Sequence, residues 1–196
     1  MKSSRIQLAL IFLLAYLMIA CTSIREMSTD GPVAEDYGRR TQGTVVEDRE
    51  IESKTTINLK RDSAIAEESN IRVTAFNRVV LLTGQVPTQA AKNQTARVAQ
   101  QVRHVRNIHN ELEIGPSVGF GQRSKDRMLA TRIRTRLMAA DDVESGRVEM
   151  VVENGVVYFM GLVTRAESQR IIHAAQQSSG IQKIVKVFEY IDDKKP

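Results

Sequence analysis

The sequence has no tryptophan, one cysteine, three histidines and only 5% aromatic residues among 196, and each scarcity removes a class of function. Without aromatic side chains interleaved among its cations, the chain lacks a stacking platform for nucleic-acid bases. Its core must be built from Val, Ile, Leu, Met and Ala. One cysteine excludes an internal disulfide framework. Three histidines and that cysteine are too few for a structural zinc site, which usually draws four ligands from these two residue types, so neither a metal nor a cofactor is expected. No histidine stands beside a Ser or Cys in a nucleophile motif. His104, His109 and His173 read as surface or interface residues, and Asp141 and Asp142 fall in a loop, where carboxylates cap or solvate. No catalytic residue is expected. What remains is 42% apolar and 26% charged residues with a formal charge of +5, a modest charge whose distribution matters more than its size.

Lys2 and Arg5 precede thirteen uncharged residues, Leu8 to Ala20, in the order of a secretory signal peptide. As a helix this run spans about 20 Å at 1.5 Å per residue, short of the roughly 30 Å hydrocarbon core, so a permanent span fits less well. Cys21 follows a small residue at the end of the run. This placement resembles the lipobox of bacterial lipoproteins, with Met18 where that motif prefers Leu. The resemblance implies that residues 1–20 are a lipoprotein signal peptide and that Cys21 becomes the lipidated first residue. An ordinary secretory signal and an uncleaved anchor are the alternatives. Thr22 stands where an Asp would resemble an inner-membrane retention signal, which implies an outer-membrane address facing the periplasm. Residues 21–46 then read as the lipidated Cys and a flexible tether, polar, with Gly31, Pro32, Gly38 and Gly43 and no sustained apolar period.

The rest of the chain repeats itself. Asn77-Arg78-Val79-Val80-Leu81-Leu82-Thr83-Gly84 lies over Asn154-Gly155-Val156-Val157-Tyr158-Phe159-Met160-Gly161, 77 residues later. Ile71-Arg72-Val73 matches Val148-Glu149-Met150, and Asp48-Arg49 matches Asp126-Arg127 with one residue of slippage. Two domains follow, at 47–114 and 123–192, joined by a short linker at 115–122 in which Phe120 is placed to plug the domain interface. Each copy opens with a helical pattern (48–61; 125–139), continues with two β-branched runs across a hairpin turn at Asn77-Arg78 or Asn154-Gly155, and closes with a second helix (88–103; 165–179) and a last strand. The class is α+β. The order α-β-β-α-β predicts an antiparallel hairpin with a third, parallel strand, giving a small three-stranded mixed sheet with both helices on one face. Gly84 and Gly161 end the second strand and read as structural glycines.

This order and its duplication resemble the BON domain family, and with the lipobox the chain resembles dual BON-domain outer-membrane lipoproteins. The resemblance implies a non-enzymatic, periplasm-facing protein that binds anionic phospholipid, such as phosphatidylglycerol or cardiolipin, and supports outer-membrane integrity. Two departures stand out. His104 occupies the place of Gly180 before the last strand, and Thr55 and Asn58 stand on a helix face that is normally more apolar.

Removing residues 1–20 lowers the formal charge to +3, yet residues 123–138 alone carry Arg123, Lys125, Arg127, Arg132, Arg134 and Arg136 against Asp126, a local +5. The matching stretch of the first copy, 48–62, sums to zero. Leu129, Ile133 and Leu137 form the stripe that packs on the sheet. The candidate phospholipid site is therefore Lys125, Arg127, Met128, Thr131, Arg132, Arg134, Thr135 and Met138, a soft apolar face ringed by cations. The same pattern fits a solvated basic face with Met128 turned into the core or the domain interface. A protein-interaction adaptor for outer-membrane assembly or envelope-stress machinery, using this helix or a sheet face, is the competing function. Nucleic acid is not expected as a partner.

Overall fold

In a computed structural model, the structure describes residues 36–62, 65, 69–140 and 143–192. The leader, Cys21, the first part of the tether, and Asp141 and Asp142 lie outside the described residues. Helix α1 (Gln42–Arg61) starts where the Thr41 hydroxyl accepts the Thr44 N–H, satisfying one of the donors that a helix start leaves unpaired. Residues 42–46, read as tether, are therefore helix. Their sequence gives no apolar period because the helix buries nothing before Asp48, Ile51, Thr55 and Leu59. Strands β1 (Asn70–Phe76) and β2 (Val79–Val86) form an antiparallel hairpin. Helix α2 (Gln89–Gln100) then returns the chain, so that β3 (Asn107–Asn110) and β4 (Glu113–Ile114), one closing strand in two pieces, run parallel to β2. The second domain repeats the plan with α3 (Phe120–Ala139), β5 (Val148–Glu153), β6 (Val156–Val163), α4 (Arg165–Gln176) and an unbroken β7 (Lys183–Tyr190). Its sheet order is β5-β6-β7, antiparallel then parallel.

Both hairpin turns have positive φ at their two central residues, 50° and 64° at Asn77 and Arg78, 48° and 74° at Asn154 and Gly155, as primed two-residue turns require. Beneath each turn lies a buried carboxylate from the domain's opening helix. Asp48 accepts the N–H of Asn77 at 2.9 Å and of Arg78 at 2.7 Å. Asp126 accepts the N–H of Asn154 and of Gly155, both at 2.9 Å. The remaining capacity of Asp48 goes to Arg40 at 2.8 Å, whose guanidinium stacks on Phe76. At Asp126 it goes to the neutral amide of Gln122 at 2.9 Å. Gly84 has φ 117°, and a Cβ there would stand 1.9 Å from the Asn70 carbonyl; at Gly161 it would stand 2.9 Å from the Arg147 carbonyl. His104 and Gly180 share a positive φ, 71° and 98°, and the strained histidine is held by contact of its Nδ1 with the Glu47 carboxylate. Thr55 is fully buried where the second copy has Ile133, and among the described residues its hydroxyl has no partner.

The two domains meet sheet to sheet. Val80 and Leu82 point toward the helices of the first domain, and Val157, Phe159 and Val163 toward those of the second. The alternate residues Phe76, Val79 and Leu81 pack on Val151, Val156, Tyr158, Met160 and Val187 of the other sheet. The layers therefore run helix, sheet, sheet, helix, and both central strands are buried on both faces, which is why their sequences read as continuous apolar runs. Phe120 takes no part in this contact. It is 80% exposed at the start of α3, because the sheet faces already fill the interface. The polar rim is pseudo-twofold: Asn77 donates to Glu189 of the second domain at 3.1 Å, and Asn154 donates to Glu113 of the first at 3.0 Å.

Asp126→Ala leaves two turn N–H groups without their charged acceptor. Since each charge-assisted bond contributes about 1.5–3 kcal/mol, urea denaturation is expected to show a loss of at least ~2 kcal/mol for this variant. Asp126→Ala as stable as wild type would remove the carboxylate from this role.

Candidate functional site: the outward face of α3

The register of α3 is set by its buried residues Asp126, Leu129, Ile133 and Leu137. At about 100° per residue, the opposite side then carries Phe120, Met128, Thr131, Thr135 and Met138. All are exposed, Met128 by 63% and Met138 by 71%. Thr131 donates its hydroxyl to the Arg127 carbonyl at 3.0 Å, and Thr135 donates to that of Thr131 at 3.1 Å. Such back-bonding satisfies the hydroxyls within the helix and leaves the methyl groups for outside contact. The strip is thus more apolar than its composition suggests.

Cations bracket it. Arg123, Arg127 and Arg134 project on the flank that faces the first domain; Lys125, Arg132 and Arg136 project on the other. All six are exposed, and among the described residues none makes an ion pair with a carboxylate. Arg132 donates to the Ser179 hydroxyl at 3.1 Å, which leans it over the turn before β7. The eight residues singled out from the sequence share one exposed surface, and Met128 is in neither the core nor the interface.

The first domain presents no such surface. In the same register Glu47 replaces Lys125, Glu50 replaces Met128, Glu52 replaces Ala130 and Lys60 replaces Met138. Lys54, at the place of Arg132, pairs with Glu50 at 2.6 Å, which holds the Glu50 carboxyl below the ordinary carboxylate range. Phe120 was missed as part of the strip, although a signal existed: it precedes Met138 by about five helical turns and so lies on the same line. Lacking the helix start, the sequence places Phe120 in the linker.

A duplicated α-β-β-α-β unit joined back to back defines a tandem BON protein, and the chain belongs to the BON domain family, matched by residues 47–116 and 125–192. It is 33% identical over 153 residues to the outer membrane lipoprotein DolP of Haemophilus influenzae, covering 78% of this chain and 79% of that protein. To the 21 kDa hemolysin of Actinobacillus pleuropneumoniae it is 34% identical over 152 residues, covering 78% of each. It is 27% identical over 141 residues to the osmotically-inducible protein Y of Escherichia coli, covering 66% of this chain and 69% of that one. This kinship places the chain at the outer membrane, lipid-anchored and facing the periplasm. Among the described residues no helix is long and apolar enough to cross a membrane. Neither the family nor DolP is named for an enzymatic activity.

The acidic character of the first copy has a measurable consequence at Glu52. Burial pushes its carboxyl above the ordinary 4.5, opposed by the N–H of Ala75, with Glu149 and Asp48 adding to the push. A folded pKa above the unfolded one means that stability is lost as pH rises through the folded value. Glu52→Gln keeps an oxygen for Ala75 and is expected to be more stable than wild type at pH 7. The two should become equal well below 4.5, when denaturation midpoints are compared at both pH values.

Proposed function

We propose that the chain is a non-enzymatic, lipid-anchored protein that docks the outward face of α3 on anionic phospholipid and thereby supports outer-membrane integrity. One observation carries this reading: the exposed line of Phe120, Met128 and Met138 runs between two rows of cations that have no carboxylate partners among the described residues. Apolar side chains flanked by cations suit the boundary between headgroups and acyl chains, where the strip is shielded from water and the charges stay at headgroup level. Each cation near an anionic surface contributes about 1 kcal/mol. Anchoring through acylated Cys21 keeps the face near a bilayer at high effective concentration.

The test is co-sedimentation with vesicles. Wild type is expected to bind vesicles containing phosphatidylglycerol or cardiolipin, to ignore neutral phosphatidylcholine, and to release as salt is raised. Arg132→Glu and Met128→Glu should each weaken binding by about 1–2 kcal/mol, roughly 5- to 30-fold. Lys54→Glu, at the matching place in the first domain, should not. Equal losses from all three, or no vesicle binding by wild type, would reject the proposal; the latter result belongs to a protein-interaction adaptor. The anchor has its own check: labelled palmitate should enter the wild-type chain and not Cys21→Ser.

A further inference from the structure

Beside the flank of α3 that faces the first domain lies a cleft of about 270 Å³ lined by both domains. The second domain supplies Arg123, Arg127 and Arg134 from α3, and the first supplies Asn70 and Arg72 from β1. Strand alternation puts Arg72 on the same side of its sheet as Phe76, toward the second domain, because Val73 and Ala75 face the helices. Arg72 is exposed and, among the described residues, has no carboxylate partner.

Two carboxylates also line the cleft, and both are engaged elsewhere. Asp126 holds the hairpin turn and Gln122. Glu153 accepts the side-chain amide of Gln85 at 3.0 Å, and Gln85 in turn accepts from Asn70 at 3.0 Å. Four guanidiniums against two carboxylates leave a formal +2. The duplication supplies an internal control. At the matching place on the other side, Glu149 stands for Arg72, Glu52 for Ala130, Thr56 for Arg134 and Val45 for Arg123, while Arg49 keeps the place of Arg127, and Glu52 there feels the charge of Glu149 and Asp48, opposed by Arg40. Three of the four arginines have no basic counterpart on that side, so the fold itself does not require Arg72, Arg123 or Arg134.

We infer that this cleft binds a phosphate ester group, with Arg72 of the first domain and Arg123, Arg127 and Arg134 of α3 as its donors. Guanidinium forks match phosphate oxygens in paired hydrogen bonds. The volume lies just under the roughly 300 Å³ at which small-molecule pockets begin, room for a headgroup phosphate and its ester carbons rather than for a nucleotide cofactor. The inference deepens the proposed function and rests on it for the source of the group: a phospholipid headgroup drawn in beside the strip. The first domain then belongs to the binding surface through Arg72.

The test is a titration of the mature chain with soluble dihexanoyl-phosphatidylglycerol, and separately with inorganic phosphate, following the arginine Nε–H signals by NMR. The lipid is expected to shift Arg72 together with Arg127. Arg72→Ala should weaken binding at least fivefold, and Arg103→Ala, in the first domain away from the cleft, should leave it unchanged. Shifts produced by the lipid alone identify a headgroup site, and equal shifts produced by inorganic phosphate identify a site for the free anion. An Arg72 signal indifferent to both overturns the inference, even where vesicles still bind through α3. Conversely, an Arg72-dependent response in a protein that ignores vesicles keeps the cleft and removes the membrane reading.

Discussion

The two N–H groups at the head of each β-hairpin point inward, and in both domains a carboxylate from the opening helix accepts them from beneath. A buried carboxylate is tolerated only when its charge is met by donors, so the helix cannot rotate or slide without stranding either the acid or the turn. That one contact fixes the helix register. With Asp126 inward, Leu129, Ile133 and Leu137 fall on the sheet, and Met128, Thr131, Thr135 and Met138 are left outside. The same lock at Asp48 turns Glu47, Glu50 and Lys54 away from the core of the first domain. The outward face of each helix is thus determined by a hydrogen-bond pair on its inward side, and the two copies are free to differ only in what they place there.

Back-to-back sheets decide which surfaces remain. The facing sides of β2 and β6 form an apolar core of their own, and the turn asparagine of each domain reaches the closing-strand glutamate of the other. This reciprocity is the signature of a self-complementary contact, here made within one chain after duplication. It closes the sheet faces to any partner and leaves the helical layers and the sheet margins facing out. Selection for binding then acts on positions that the scaffold leaves unconstrained, and a neutral helix in one copy can coexist with a cationic helix in the other.

The elements that depend on local chemistry were legible in the sequence. Asn-led dipeptides marked the turns, and the four-residue spacing of Leu129, Ile133 and Leu137 gave the buried stripe of α3; Gly84 and Gly161, read as strand ends, lie inside β2 and β6, each of which runs two residues further because the pairing continues past the glycine. What depends on long-range contacts was not. Asp48 and Asp126 could be aligned, but their role spans some thirty residues of chain and leaves no local pattern. The sheet-to-sheet interface erased the period-two alternation that would have announced it. Helix α1 begins earlier than its apolar period because Thr41 is a cap without a core contact, and Arg72 is an arginine on a strand, a residue type that carries no signal until another domain is placed beside it.

Magnitudes decide what such a face achieves. Six cations at about 1 kcal/mol each sum to roughly 6 kcal/mol if all reach the surface, a dissociation constant of the order of tens of micromolar. Free in solution, such an affinity gives fleeting contact. On a short acylated tether, an effective concentration in the millimolar range exceeds that constant many-fold, and the face is then occupied most of the time. The electrostatic share decays over a Debye length of about 8 Å in physiological salt, so only a face already near the headgroups benefits from it. An anchor without the cationic face would leave the domains untethered in orientation, and the face without the anchor would bind too weakly to matter. Anchor and face together give a contact that is oriented, reversible and open to competition by any other polyanion near the membrane.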